Sequence, residues 1–307
     1  MRDLDFEKTP RLPVWELIRQ EEQALRTGSQ GLSVELHAVS HRGKVRSTNE
    51  DSYLALKVGR SMETVASSLT AEDLPPRVEE RGWVLIVADG IGGRSGGETA
   101  SRRAIASLIG VATRIPNWVL HFDREYAEDI LGRATGYFRE VDALLEQEAD
   151  ADPALTGMGT TLTSVCLLNR DLVLTHVGDS RAYRLRGSEL VRLSHDQTMA
   201  QALADAGVIS EAAVDTHQQR HILTGALGAA AGAPRVQLGR HSLADGDRVV
   251  VASDGLTEMV HEPDITRILI ANPEPKAAAE ALLDAALDAG GSDNVTVIVA
   301  NCRLPEP

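Results

Sequence analysis

Four acidic corners carry most of the chemistry available to this chain. Glu50-Asp51 in RSTNEDSY, Asp89 in VLIVADGIGG, Asp254 in VVVASDGLTEM and Asp293 in GGSDNVTVIV each fall at the end of an apolar run or in a tight turn. Taken singly, each reads as a turn, because Asp-Gly after a strand is ordinary turn chemistry and Gly-Gly-Ser before Asp293 can cap a loop. Taken together they read differently. A carboxylate at the end of a buried strand is driven neutral by desolvation unless a partner or a metal ion holds its charge. Two repeats of apolar run, Asp, Gly beside two further acidic corners form a donor set for hard divalent cations such as Mg2+ or Mn2+. Asp89, Asp254 and Asp293 are therefore expected to converge on one centre. Arg46 lies one short turn before Glu50, in the only basic cluster, Arg42, Lys44 and Arg46. Its guanidinium can neutralise those carboxylates or grip two phosphate oxygens at once.

The run GIGGRSGGE, Gly90 to Glu98, invites comparison with nucleotide-binding loops, but an Asp ends the preceding strand and no GKS or GKT follows. That excludes a P-loop and disfavours a dinucleotide site. The glycines are read instead as allowing close backbone approach to a metal or to a facing sheet, with the Gly90 carbonyl as a neutral ligand. Cys166 and Cys302 sit inside apolar runs and are read as small buried hydrophobes, not nucleophiles.

The elements that must position these groups change period along the chain. Residues 13–27 read as a helix, and 1–30 as a helical extension of a domain spanning 31–303. LSVELHAVS and SYLALKV read as strands, 59–82 as a solvent-facing loop, and Trp83–Gly90 as a buried strand. Helices are expected from Gly97 onward, with Ala104, Leu108 and Val111 inward, and over 119–148, with Phe138, Val141 and Leu145 inward. Four short antiparallel strands follow from TTLTSVCLL to SELVRLS, then helix and loop over 198–228, strands at 235–238 and 248–252, a helix at 274–288 and a last strand in NVTVIVA. Strands, long helices, an antiparallel meander, then helix and strand make an α+β layer fold and not a doubly wound sheet.

Composition narrows the function classes. Among 307 residues, 45 Asp and Glu against 31 Lys and Arg give a net charge of −14, and 3% are aromatic. Such a surface repels nucleic acid and anionic membrane and offers few stacking platforms. The first fifteen residues contain no apolar signal region and no stretch is long enough to span a bilayer, so a cytoplasmic protein without membrane insertion is expected.

The motifs RSTNED, VADGIGG, GMGTTLT, THVGDSRAYRL, LSHDQT, LTGALG, VVVASDGLTE and GGSDNVTVIV, in that order, resemble the metal-dependent serine/threonine protein phosphatases of type 2C. The resemblance covers Leu32 to Ala300. It implies a four-layer αββα sandwich with two central antiparallel sheets flanked by helices. It also implies Mn2+ or Mg2+, two ions in the main centre. Asp89 would bridge them, Gly90 would serve the first, Asp254 and Asp293 the second, with Glu50 and Asp51 supporting the first. Arg46 would hold substrate phosphate, and Asp196 in LSHDQT would help hold a third, weaker ion. Asp179 and Arg181 are read as framework beneath the site. The implied catalytic set is Arg46, Asp89 and Asp254.

Three positions depart from the pattern. Ile91 stands where eukaryotic members often carry a histidine general acid, Thr156 stands where an acid would serve the third ion, and Gly225 stands where Arg is frequent. The implied function is hydrolysis of phosphoserine and phosphothreonine in proteins by a metal-activated water, with phosphorylated substrates of a cognate kinase as partners and a monomeric enzyme. The alternatives are a non-catalytic phosphoprotein-binding module and a phosphatase of small phosphorylated metabolites.

Overall fold

Strand β3 (Val78–Ile91) shows how the layers arise from the sequence. Val84, Ile86 and Ala88 lie on one face and Leu85 and Val87 on the other, and all five are buried. A strand apolar on both faces must be covered on both sides. The computed structural model describes residues 31–70, 78–92, 96–113, 124–229 and 233–305. The helix expected over 13–27 lies outside them.

β3 belongs to a sheet ordered β2 (Asp51–Met62), β3, β5 (Leu162–Leu168), β6 (Asp171–Val177) and β9 (Gln237–Ser242), with the short β4 (Gly159–Thr160) paired to the end of β3. The second sheet is ordered β1 (Ser33–His41), β11 (Val295–Arg303), β10 (Arg248–Ala252), β7 (Arg181–Arg186) and β8 (Glu189–Arg192). Among the described residues all these pairings are antiparallel. The sheets face each other through Leu85, Val87, Val165, Leu174, Val249, Val251, Ile298 and Ala300.

Helices close the outer faces. α1 (Gly96–Thr113) and α2 (Arg124–Ala151) set Ala104, Leu108, Phe138, Val141 and Leu145 against Val84 and Ile86. Beyond the two short helices α3 (Met199–Asp205) and α4 (Asp254–Thr257), α5 (Glu262–Ala271) and α6 (Pro275–Asp288) set Ile265, Leu269, Leu282 and Ala286 against Val250, Val297 and Val299. Each buried aliphatic side chain contributes roughly 1.5–3 kcal/mol relative to exposure. The result is the expected four-layer sandwich.

Three expectations need correction. The segment 59–82 is not a loop throughout: the β2–β3 ladder continues to the pair Met62↔Val78, so strand occupies both ends of it. Main-chain pairing along an edge hairpin sustains those ends despite a polar composition. The strand placed at 235–238 is β9, Gln237–Ser242, paired with β6. Helix α5 was absent from the sequence reading, although His261 and Pro263 mark its start. Among the described residues no helix is long and apolar enough to cross a membrane.

Candidate metal centre

The acidic corners meet at one end of the sandwich. Asp51 opens β2 and stands opposite Asp89 in the β2–β3 ladder. In the other sheet β10 ends at Ala252, and Ser253 leads into α4, whose first residue is Asp254. Asp293 lies two residues before β11. Ser253 ties the layers together: its hydroxyl donates to Asp51 Oδ2 at 2.7 Å, and the Thr296 amide donates to the same hydroxyl at 2.9 Å.

Asn294 is a second knot. Its Oδ1 accepts from the Glu50 amide at 2.7 Å, and its Nδ2 donates to the Arg42 and Thr48 carbonyls at 3.0 and 2.8 Å. Asp89 is fixed by its neighbour across the sheet: its amide donates to Thr161 Oγ1, and the Thr161 amide donates to the Asp89 carbonyl, both at 2.9 Å.

Both Asp-Gly glycines are there because backbones touch. A Cβ on Gly90 would lie 2.1 Å from the Gly97 carbonyl oxygen, and one on Gly255 would lie 2.0 Å from that of Asn294. No other residue fits without moving an acidic corner. Gly225 differs: a Cβ there would lie 1.8 Å from Gln197 Oε1, the end of a side chain that must turn aside to admit it.

A cleft of about 820 Å³ opens over this end, lined among others by Arg46, Glu50, Asp89, Gly90, Asp254 and Asp293. Asp51 lies beneath it, 7% exposed. Burial raises Asp89 and Asp254 well above the ordinary carboxylate range, reinforced at Asp89 by the charges of Asp51, Asp254 and Asp179 and at Asp254 by those of Asp179, Glu258 and Asp293, and the two carboxyl groups lie within hydrogen-bonding reach of each other. Burial also pushes Asp51 up to about 6, against the hydroxyls of Ser253 and Thr296. Glu50 is raised by burial and lowered by Arg46.

This excess of negative charge wants cations. Among the described residues Asp51 Oδ1 and Asp254 Oδ1 are buried without a hydrogen-bond partner, an arrangement that costs about 1–3 kcal/mol per group when left unmet. Among the described residues no three His, Cys, Asp or Glu side chains close on one point as a ready-made cage. The donors fit ions that take one or two carboxylates each and complete their shells with carbonyls and water, as Mg2+ and Mn2+ do.

Arg46 reaches the cleft from the loop after β1, and its Nη2 donates to Asp293 Oδ2 at 2.6 Å. Burial opposes its charge, while Asp293, with Asp254 and Asp89 further off, outweighs burial and raises its pKa. Asp196 does not line this cleft. Both its oxygens accept from Arg181, at 2.6–3.1 Å, and Arg192 approaches to 3.5 Å. Asp196, Arg181 and Asp179 line an adjoining smaller pocket that meets the cleft at Asp179 and Asp254. Burial and the charges of Asp196 and Glu258 push Asp179 up to about 7. Cys302 is buried, as expected, whereas Cys166 is half-buried; desolvation raises both thiols to about 12.

Sequence reasoning missed Ser253, Asn294, Thr161 and the cleft residue His221 as functional groups. The first two adjoin Asp254 and Asp293, and their polarity at strand ends was the available signal. Nothing local marks the others.

Two antiparallel sheets lie under helices, with an acidic cleft where their strand ends meet. The family profile described as protein phosphatase 2C matches residues 68–288. The chain is 34% identical over 264 residues to the serine/threonine protein phosphatase PstP of Mycobacterium tuberculosis, covering 86% of this chain and 44% of that protein. It is 32% identical over 223 residues to the serine/threonine phosphatase stp of Listeria monocytogenes, covering 73% and 86%. The crystal structure of M. tuberculosis PstP/Ppp superposes with a TM-score of 0.69 at 33% identity, over 88% of this chain and 99% of that one. The PstP catalytic domain in complex with two manganese ions gives 0.67 at 30% identity, over 89% and 99%. This chain belongs to the protein phosphatase 2C family. It spans less than half the length of the mycobacterial relatives it matches.

Proposed function

We propose that residues 31–303 form a metal-dependent phosphatase domain that hydrolyses phosphoserine and phosphothreonine in proteins, acting in the cytoplasm, with residues 1–30 as an extension. The observation that carries this reading is the pair of orphaned buried carboxylate oxygens, on Asp51 and Asp254, in a cleft that also holds Arg46. A binding module would have no use for such uncompensated charge. The chain's likeness to serine/threonine protein phosphatases, and the two manganese ions of the PstP catalytic domain, support the same activity and Mn2+ or Mg2+ as the ions.

Asp89 and Asp254, facing each other, would hold the two ions between them, with Asp293, Glu50 and the Gly90 carbonyl beside them and Asp51 beneath. Bound there, the cations supply an attacking water of lowered pKa and positive charge toward the phosphoryl oxygens. Arg46 keeps one arm on Asp293 and turns its remaining N–H groups to phosphate, which fixes the scissile bond against the acidic wall. A third ion at Asp196 would compete with Arg181 and find only neutral Thr156 in place of an acid, so it binds weakly.

The open cleft favours a side chain presented on a protein over a small metabolite. The test is turnover of phosphoserine and phosphothreonine peptides against small phosphoesters, with Mn2+ and with excess chelator. Metal-dependent peptide turnover is expected; full activity in chelator, or turnover of metabolites alone, overturns the reading.

A further inference from the structure

The cleft contains a group that the acidic centre does not use. Among the described residues lining it, His221 is the only histidine. Its Nδ1 is ion-paired with Glu258 Oε1, and among the described residues Nε2 has no hydrogen-bond partner. The imidazole is 46% exposed and the carboxylate behind it 19%. Glu258 follows α4 directly, its amide donating to the Asp254 carbonyl at 2.8 Å, so it is tied to the acidic centre. The loop bearing His221 is also held in place: the Met199 amide donates to the Ile222 carbonyl and the Thr224 amide to the Gln197 carbonyl, both at 2.7 Å, beside the bridge Thr198↔Leu223.

We infer that His221, oriented by Glu258, is the general acid that protonates the departing seryl or threonyl oxygen, an assignment that rests on the phosphatase reading above. Displacement of an alkoxide from phosphorus needs a proton donor, because an unprotonated alkoxide is a poor leaving group. Ile91, at the position where the family resemblance gives eukaryotic members a histidine, lines the same cleft without a transferable proton. Of the cleft carboxylates, Glu50, Asp89, Asp254 and Asp293 are assigned to cations and Asp179 lies at the seam with the smaller pocket, while Arg46 and the Ser and Thr hydroxyls do not give up a proton near neutral pH. Glu258 is a positioning residue: accepting from Nδ1–H, it leaves Nε2 for the cleft, and the acid form is the imidazolium, which carries its second proton there.

In the step, a bond forms between the attacking water oxygen and phosphorus while the bond from phosphorus to the seryl oxygen breaks. The electron pair leaves with that oxygen, which takes the Nε2 proton and departs as the hydroxyl. Solvent receives the proton shed by the attacking water and reprotonates the imidazole, so the cycle closes without net change at His221.

The test compares leaving groups in the Mn2+-loaded protein. His221→Ala should lower kcat toward a phosphothreonine peptide about 100-fold, within the usual range for general acid catalysis, but only a few-fold toward p-nitrophenyl phosphate, whose leaving group needs little help. Across a series of substituted phenyl phosphates, the dependence of rate on leaving-group basicity should steepen. Glu258→Gln should give a smaller loss in the same sense. Equal losses on peptide and aryl ester, or no loss on the peptide, overturn the assignment and leave His221–Glu258 as a loop anchor. If His221→Ala melts below the assay temperature, His221→Asn provides the same comparison. A wild-type protein inactive on both substrates with Mn2+ would instead overturn the phosphatase reading.

Discussion

Asp51 and Asp89 are direct cross-strand partners, the first residue of β2 facing the carboxylate near the end of β3. Like charges opposite each other in an antiparallel ladder are destabilising. Here one of them is buried beneath the other's cleft, with Asp51 Oδ1 unmatched. The fold therefore holds a charge defect at the place where it needs ligands, and several consequences can be measured.

Cation binding should raise thermal stability, because ions that bind the folded state alone stabilise it by mass action, about 2.7 kcal/mol at a hundredfold excess over Kd. Asp89→Asn removes one repelling charge. In excess chelator it should melt at or above the wild-type temperature, whereas on adding Mn2+ it should gain less than the wild type and show no turnover. Differential scanning calorimetry with and without chelator checks this. An Asp89→Asn protein less stable than wild type in chelator would contradict the repulsion argument.

Asn294→Ala should be among the most damaging changes outside the carboxylates. It removes the partners of the Glu50 amide and the Arg42 and Thr48 carbonyls, and hydrogen bonds of this partly buried kind contribute about 0.5–1.5 kcal/mol each. Mn2+ affinity should fall as well, since both Glu50 and Asp293 lose their placement. Urea denaturation and calorimetric titration report the two effects separately. A loss below about 1 kcal/mol would mean that the loops hold their shape without the knot.

What the sequence disclosed, and what it hid, follows the range of the interactions. Asp89 and Asp254 were legible because a carboxylate ending an apolar run is locally costly, and the layers were legible because period-2 and helical stripes are local patterns. Asn294 and Ser253 act on Glu50 and Asp51, more than 200 residues away in the chain, so no window contains both partners. His221 and Glu258 are hidden in the same way. The ends of the β2–β3 hairpin are held by backbone pairing, which composition does not encode.

Stability should also respond to pH through His176, which lies outside the cleft. It is fully buried between Thr163 Oγ1, 2.8 Å from Nδ1, and the His195 carbonyl, 3.2 Å from Nε2. Burial lowers its pKa to about 4. An unfolded histidine titrates near 6.5, so the folded state binds fewer protons between those values. The stabilisation is full above about 6.5 and is lost as pH falls toward 4, by up to about 3 kcal/mol. In chelator, His176→Leu should start less stable at pH 7 and lose less on acidification. A parallel pH dependence of wild type and variant in urea melts would rule His176 out as the source.

Arg46→Ala should separate substrate grip from ion binding. The guanidinium is bonded to Asp293, yet half its surface is exposed to the cleft, so it can serve phosphate while anchored. Removing a charge-assisted hydrogen bond costs about 1.5–3 kcal/mol, which corresponds to roughly 10- to 150-fold in kcat/KM. If the fork grips ground state and transition state alike, the loss lies in KM; if its hold tightens as charge shifts among the phosphoryl oxygens, kcat falls too. Both are expected, because the planar fork can follow two oxygens as they spread toward the equatorial plane, which a point charge does less well. For that reason Arg46→Lys should recover part of KM and little of kcat. Mn2+ affinity should change only a few-fold, since losing a neighbouring cation leaves Asp293 freer to bind. Calorimetric titration beside steady-state kinetics decides the matter: abolished Mn2+ binding would make Arg46 a scaffold for the centre, and unchanged kinetics would remove it from the reaction.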